Sequence, residues 1–271
     1  MDHIAKFMTQ HAHHTGLTVG ISTTRDRLTT LSMARLPQHG QIDYLIVVQA
    51  LTPCPAGQKS DDVPTHLCRA DITVRFDTGQ GIARSRNQVI NAAQRDLLWF
   101  ADDDLEFEAS GLQNLITAFG QQPDAAVLTF QSANADGSLR KAFGNKHSRI
   151  AKHNAGRYAT FEIAIRPATI RDAAVAFDTN FGIGSRYSFG DEYVFLSDCI
   201  DAGLICRYVP FVLAIHPTLS TGFRKVPKRL RTERAIFARV FGGLWPVWFV
   251  AFIVKKHMRY LRTRFSSEKK G

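Results

Sequence analysis

The stretch Trp99-Phe100-Ala101-Asp102-Asp103-Asp104 decides the fold. Leu97, Leu98, Trp99 and Phe100 read as the end of a buried strand, which sets three adjacent carboxylates at its carboxyl edge. Open α/β sheets bind ligands at that edge. Like charges this close repel, and a fold keeps them together where something positive sits among them. A divalent cation carrying a diphosphate meets that need, because hard cations take oxygen ligands and share them with substrate phosphates. A solvated acidic turn is the alternative reading of the tripeptide alone.

The segments before it alternate. Leu17–Ser22 is a β-branched strand running into the polar loop Thr23-Thr24-Arg25-Asp26-Arg27, and Arg27–Leu36 is predicted as a helix stopped by Pro37 and Gly40. Tyr44–Val48 and Ile72–Phe76 are further strands, separated by a Pro- and Gly-rich loop over 52–66. Gly79 and Gly81 lead into a helix over about Ala83–Arg95, whose Val89, Ile90 and Ala93 share one face. After the acids come a helix near Leu112–Phe119 and a strand at Ala126–Phe130. Alternation of this kind means an α/β fold with a mostly parallel central sheet and flanking helices.

The second half predicts a strand over Tyr158–Ile165 and a Gly- and aromatic-rich loop from Phe177 to Glu192. A helix over Tyr193–Ala202, a strand over Ile205–Val209, and His216-Pro217 as the close of the domain complete it. Three regions result: an N-terminal arm (1–16, with His11, His13 and His14), a globular domain (17–223), and a basic, apolar C-terminal helical appendage (224–271).

The charge is uneven. The chain has 271 residues and a formal charge of +10; residues 224–271 hold 14 basic and 2 acidic side chains, a net of +12. The remaining 20 basic and 22 acidic residues leave the body near neutral at −2. That excludes a nucleic-acid enzyme with a basic groove and points the tail at an anionic surface. Cys54, Cys68, Cys199 and Cys206 show neither metal spacing nor a disulfide framework, so reduced thiols are expected. No apolar core follows the N-terminal charges, as a secretory signal would require.

A nucleotide-diphosphate leaving group needs a cation on its phosphates, a pocket for base and ribose, and a carboxylate to deprotonate the attacking hydroxyl. Asp102–Asp104 fit the first need, and Thr23, Thr24 and Arg25 lie at the same sheet edge. Asp191 and Glu192 form a second acidic pair at a helix start, where the dipole favours negative charge; ordinary capping explains them equally. Arg84 and Arg86 sit where an arginine would offset leaving-group charge, or else on an exposed helix surface. His216 is a metal-ligand candidate or a loop histidine.

In their order these features resemble the family 2 glycosyltransferases of GT-A fold. Leu17–Arg25 resembles the opening strand and nucleotide loop, Gly81-Ile82-Ala83-Arg84-Ser85-Arg86-Asn87 the helix start with its Arg-Asn pair, and Phe100–Asp104 the D-x-D segment. Phe177-Asp178, Phe181-Gly182 and Gly190–Leu196 resemble the acceptor-side loop and its acidic pair, and His216 stands where a late histidine often completes the metal site.

The resemblance covers about residues 17–220. It implies inverting transfer from a nucleotide-diphosphate sugar to an acceptor hydroxyl with Mn2+ or Mg2+. Asp102 would contact ribose or diphosphate, Asp104 the metal, and Asp103 either; His216 joins the metal. Glu192 by register is the base and Asp191 its neighbour, although the family more often shows the two acids in the opposite order, which keeps both open. Gln49 replaces an acid common after the second strand and would offer its amide to the base.

In the tail, Ile236, Phe237, Val240, Phe241, Leu244, Trp245, Trp248, Phe249 and Phe252 recur at helical spacing. A helix over 236–254 would reach about 28 Å, near the ~30 Å of a bilayer core. Basic flanks on both sides, with Arg239 and Pro246 interrupting, favour an in-plane or re-entrant anchor on anionic lipid over a span; packing on the protein's own core is the alternative.

The expectation is a glycosyltransferase at the cytoplasmic face of a bacterial inner membrane. It would extend a glycan or glycolipid acceptor in lipopolysaccharide or capsule synthesis. Rivals are a nucleotidyltransferase on a similar sheet, which would carry a glycine-rich phosphate loop that Thr23–Arg27 lacks, and a non-catalytic membrane-bound scaffold.

Overall fold

The computed structural model describes residues 15–32, 36–49, 63–216 and 229–268, with side chains to 258. The N-terminal histidines, Cys54 and the Pro217–Lys228 connection lie outside the described residues. The strands are β1 (Leu17–Thr24), β2 (Ile42–Gln49), β3 (Ile72–Asp77), β4 (Leu97–Asp102), β5 (Val127–Asn134), β6 (Ser148–Arg149), β7 (Ile163–Ile165) and β8 (Cys206–His216). The helices are α1 (Arg25–Leu28), α2 (Ile82–Ala92), α3 (Ala109–Gln121), α4 (Lys152–Ala155), α5 (Pro167–Asp172), α6 (Asp191–Asp201), α7 (Arg229–Phe241) and α8 (Trp245–Glu268).

One sheet in the order β3-β2-β1-β4-β7-β5-β8-β6 holds the domain together. β1 pairs in parallel with β2 and β4, β2 with β3, and β5 with β8, while β7 runs antiparallel between β4 and β5. The chain winds outward from β1 to β3 and then returns to place β4 on β1's other side. The β1/β4 seam is therefore the topological switch point where a crevice opens, and Ser22 lies opposite Asp102 there.

Both central strands are buried on their two faces, which is why they read as unbroken apolar runs. The pleat sends Trp99 into one core layer, with Leu112 and Phe119, and Phe100 into the other, with Phe177 and Phe195. The Trp99 indole donates to the Phe161 carbonyl at 2.9 Å, satisfying a buried polar group. Gly20 lets α2 settle on β1: a Cβ there would lie 2.2 Å from Val89 Cγ1.

Three sequence expectations change. Of the helix expected over Arg27–Leu36, the described residues form only the single turn of α1; Thr29 and Thr30 hydroxyls bond to the Asp26 and Arg27 carbonyls at 3.0 Å and compete with helix propagation. The strand expected from Tyr158 starts only at Ile163. Glu162, fully buried, accepts from the Ser132 hydroxyl (2.6 Å) and the Ala159 N–H (2.8 Å) and pairs with Lys141 (2.9 Å), which tightens residues 160–162 into a 3-10 turn.

The third change is the apolar tail. The stretch Arg229–Met258 holds an 18-residue window with a mean hydropathy of 1.8, long and apolar enough by composition to cross a membrane. It does not run as one rod over 236–254: the chain breaks at Gly242–Leu244, where Gly242 takes φ +52°. α7 and α8 then fold back as a hairpin. Lys256 Nζ meets Glu233 at 3.0 Å, Phe252 meets Phe237 at 5.1 Å between ring centroids, and Trp248 stacks on Phe241 at 4.8 Å.

Pro246 falls in the first turn of α8, a position that favours starting a helix. Arg239 anchors α7 to the domain through Asp198 (2.8 Å) and Asp178 (3.1 Å). Ile236 and Val240 bury against Phe181 and Val194, so α7 covers the domain's own core while the turn leaves Leu244, and α8 leaves Val247, Val250 and Val254, exposed.

Candidate active site

The β1/β4 seam brings the acids together. Asp102 ends β4, Asp104 follows in the turn, and His216 ends β8, which reaches the same edge by pairing with β5. One ligand atom from each of the three lies within 4.8 Å of the others. His216 Nε2 stands 3.6 Å from Asp104 Oδ1, and its ring packs 5.3 Å from Phe161, which fixes its plane. Two carboxylate oxygens and one imidazole nitrogen suit Mn2+ or Mg2+ with positions left for phosphate oxygens. Asp102 keeps part of its surface accessible at the cleft floor. Desolvation by the walls raises its carboxyl, Arg86 opposes that, and the Asp104 charge adds to it.

Asp103 points elsewhere. Its carboxylate accepts from the Thr23 hydroxyl at 2.5 Å and pairs with Arg27 at 2.5 Å. Arg27 also lies 3.5 Å from Asp104. Burial raises the Asp103 carboxyl, and these two partners pull it back. Asp103 thus ties the first loop to the acidic turn, and Arg27, which composition gave no reason to single out, is its counter-ion.

The rest of that loop faces β3. Thr24 precedes α1, and the Arg25 guanidinium lies 5.3 Å from the centre of the Phe76 ring. Gln49, buried at the end of β2, accepts the Gly81 N–H at 3.2 Å through Oε1, so one end of its amide already holds the turn before α2. Arg84 bonds to buried Asp77 at 3.0 Å, which takes its charge away from the acidic turn.

Arg86 does the opposite. Its guanidinium lies across the cleft, bonded to Asp191 and 3.9 Å from Asp102, over the Phe177 ring. Arg86 and Asp191 are both buried, so the pair is held in low dielectric. Asn87 clamps the loop beneath: it accepts the Phe177 N–H at 2.7 Å and donates to the Phe177 carbonyl at 2.9 Å. The Arg-Asn pair therefore fixes the acidic pair and its loop together, a role that spacing alone did not reveal.

Asp191 and Glu192 open α6 after Gly190, which sits at φ +92°. Asp191 is buried on Arg86, while Glu192 stays half-buried. Burial and the adjacent Asp191 charge push the Glu192 carboxyl well above the ordinary carboxylate range. A carboxylate with such a raised proton affinity binds a proton readily near neutral pH.

The family model described as glycosyl transferase family 2 matches residues 70–186, which takes in Arg86 and Asp102–Asp104 and ends before Asp191. None of the curated proteins matches the chain. Among solved structures, residues 1–349 of S. aureus TarS superpose with a TM-score of 0.58 at 14% identity, covering 84% of this chain and 66% of that one. The same piece in complex with UDP-GlcNAc gives 0.57 at 13% identity, covering 84% and 67%. Against the longer TarS structure the TM-score is 0.56 at 13% identity, and the chain spans 40% of its length. Identities this low carry the fold, which is the GT-A sheet expected from the sequence. Residues 70–186, which lie on that shared fold, match the glycosyl transferase family 2 model, and this part of the chain is similar to that family.

Proposed function

We propose that the protein transfers a sugar from a nucleotide-diphosphate donor to an acceptor hydroxyl with inversion. The observation that carries this reading is the Asp102/Asp104/His216 cluster at the switch point, joined through Arg86 to Asp191, the neighbour of Glu192. The TarS piece binds UDP-GlcNAc and UDP, which supports a nucleotide-sugar donor here, seated with its base towards Thr23, Thr24, Arg25 and Gln49.

Asp102, Asp104 and His216 would hold Mn2+ or Mg2+; when bound, such an ion neutralises the diphosphate. Glu192 accepts the acceptor's hydroxyl proton as that oxygen bonds to the anomeric carbon. The bond from the anomeric carbon to the phosphate oxygen breaks, and its electron pair leaves with the nucleoside diphosphate. Arg86 stands beside Asp102, where charge builds on the leaving group.

The acceptor is read as a glycan or glycolipid of cell-surface polysaccharide or lipopolysaccharide synthesis, met at the cytoplasmic face of a bacterial inner membrane. Supporting this are the exposed apolar side of α8 and the basic residues that flank the hairpin.

The test is thermal shift of the full chain with a panel of nucleotide sugars, with and without Mn2+. Ligand bound by the native state raises its stability with the logarithm of concentration over Kd. One donor class stabilising the protein only with metal, and not in Asp104→Asn, supports the reading. Absence of any metal-dependent donor shift sinks it.

A further inference from the structure

A groove of about 450 Å³ lies outside the catalytic cleft, between the α7 face carrying Arg231 and Arg234, the loop residue Tyr187, and Trp245 at the hairpin turn. We propose that it binds the phosphate end of an amphiphilic acceptor, a phosphorylated lipid. The proposal rests on the glycosyltransfer reading and gives its acceptor a chemical class.

The groove's chemistry is two-sided. Leu230, Ala235 and Ala238 give it an apolar floor, and the two alanines leave the room that longer side chains would fill. Arg231 and Arg234, three apart on one helix face, bring two guanidiniums to it. Each lies beside an aromatic ring, Arg231 at 6.0 Å from Tyr187 and Arg234 at 5.5 Å from Trp245. No acidic side chain is among the described residues that line it. Planar guanidiniums recognise phosphate oxygens in pairs, and the neighbouring apolar floor favours a phosphate joined to a hydrocarbon over a free ion. The volume falls in the ordinary range of ligand sites.

Its position links membrane and cleft. Around Trp245 the chain exposes the apolar residues Leu244, Val247 and Val250, where an acyl or isoprenoid chain would lie. On the other side Tyr187 stacks on Phe181 at 5.0 Å between ring centroids. Phe181 packs with Val194 of α6, the helix whose first turn carries Asp191 and Glu192. A lipid phosphate held by Arg231 and Arg234 would therefore lie against the side-chain cluster that packs α6, the helix that carries the proposed base.

The experiment titrates the full chain with dodecyl phosphate, reading tryptophan fluorescence, beside inorganic phosphate and dodecyl maltoside. Saturable binding of dodecyl phosphate is expected, with inorganic phosphate and the uncharged maltoside each at least about tenfold weaker. R231Q/R234Q is expected to lose about tenfold or more in affinity, and R231K/R234K to lose less. Unchanged melting temperatures show that the variants fold. Equal affinity in R231Q/R234Q, or equal binding of the maltoside, overturns the proposal. Equal binding of inorganic phosphate replaces it with a simple anion site.

A flotation arm with phosphatidylcholine vesicles, with and without phosphatidylglycerol, separates a pocket from a charged surface. If R231Q/R234Q lose only charge-dependent flotation and keep dodecyl phosphate affinity, the pocket is overturned. Nucleotide-sugar binding with Mn2+ is read in parallel. Its absence from the wild type removes the glycosyltransfer reading, and its persistence beside unselective lipid binding removes the pocket alone.

Discussion

Ile236 of the C-terminal hairpin presses on Gly190, the residue before the acidic pair: a Cβ added at Gly190 would stand 2.2 Å from Ile236 Cδ1. Gly190 also holds φ +92°, a conformation that other residues adopt at a cost of about 1–2 kcal/mol. The tail helix is thus part of the wall that positions Asp191 and Glu192. Gly190→Ala is expected to lower the melting temperature and reduce turnover, because relief of the clash must shift either α7 or the start of α6. Adding Ile236→Ala should restore part of the stability, since it removes the steric component and leaves the backbone one. Melting curves of the single and double variants check this; no recovery in the double variant shows that the contact is not what Gly190 protects.

Arg86 is the only guanidinium among the described residues that pairs with both acidic groups. Arg86→Gln would leave Asp191 buried without its counter-ion, and breaking a buried pair in this way costs about 3–5 kcal/mol. Turnover should fall by about 10²–10³ as well, the loss typical of one group aimed at developing charge. Arg86→Lys should recover more stability than activity, because an ammonium carries charge without the planar fork. Urea titration and single-turnover kinetics separate the two losses; equal recovery in both would contradict the double role.

Glu192 gives the pH signature. Its carboxyl is raised to about 8 by burial and by the Asp191 charge, so below that value the base is largely protonated and cannot accept the acceptor's proton. Log kcat/KM should therefore climb with unit slope as pH rises through the region and flatten above it. Glu192→Gln should cut turnover by about 10²–10⁴ and abolish the climb. A flat wild-type profile from about pH 6 to about pH 9 would take the base assignment away from Glu192.

The parts of this chain that sequence makes legible are those set by local pattern. β1, β2 and β4 are central strands buried on both faces, so their apolar runs and the acids that end β4 were readable directly. What was not readable depends on partners far along the chain. Arg86 meets Asp191 across 105 residues, and nothing near either residue says that one acid will be buried on an arginine while the next stays half-exposed. Asp103 looks like its two neighbours, yet Thr23 and Arg27 turn it away from them. The turn inside the tail was not readable either: Gly242 and Gly243 lie inside a continuous apolar pattern, and hydropathy alone does not register the break. Glu162 disguised a 3-10 turn as strand because a buried carboxylate leaves the surrounding β-branched pattern intact.

Removal of the metal is the remaining test, and His216 sharpens it. Chelation should abolish transfer in the wild type, and Mn2+ should restore it as a saturable function of concentration. His216 belongs to the ligand cluster through one nitrogen, while its ring is held by Phe161. His216→Ala should thus weaken metal affinity by at least about tenfold, the lower end of what disturbing a metal site's supporting groups produces, with much of the activity recovered at high Mn2+. Asp104→Asn should not recover in this way, because it removes negative charge that the ion needs as well as a ligand. The contrast between the two variants matters more than either loss. If both are rescued equally by excess metal, or if neither variant alters the metal requirement, Asp102, Asp104 and His216 do not form the site that holds the donor's diphosphate.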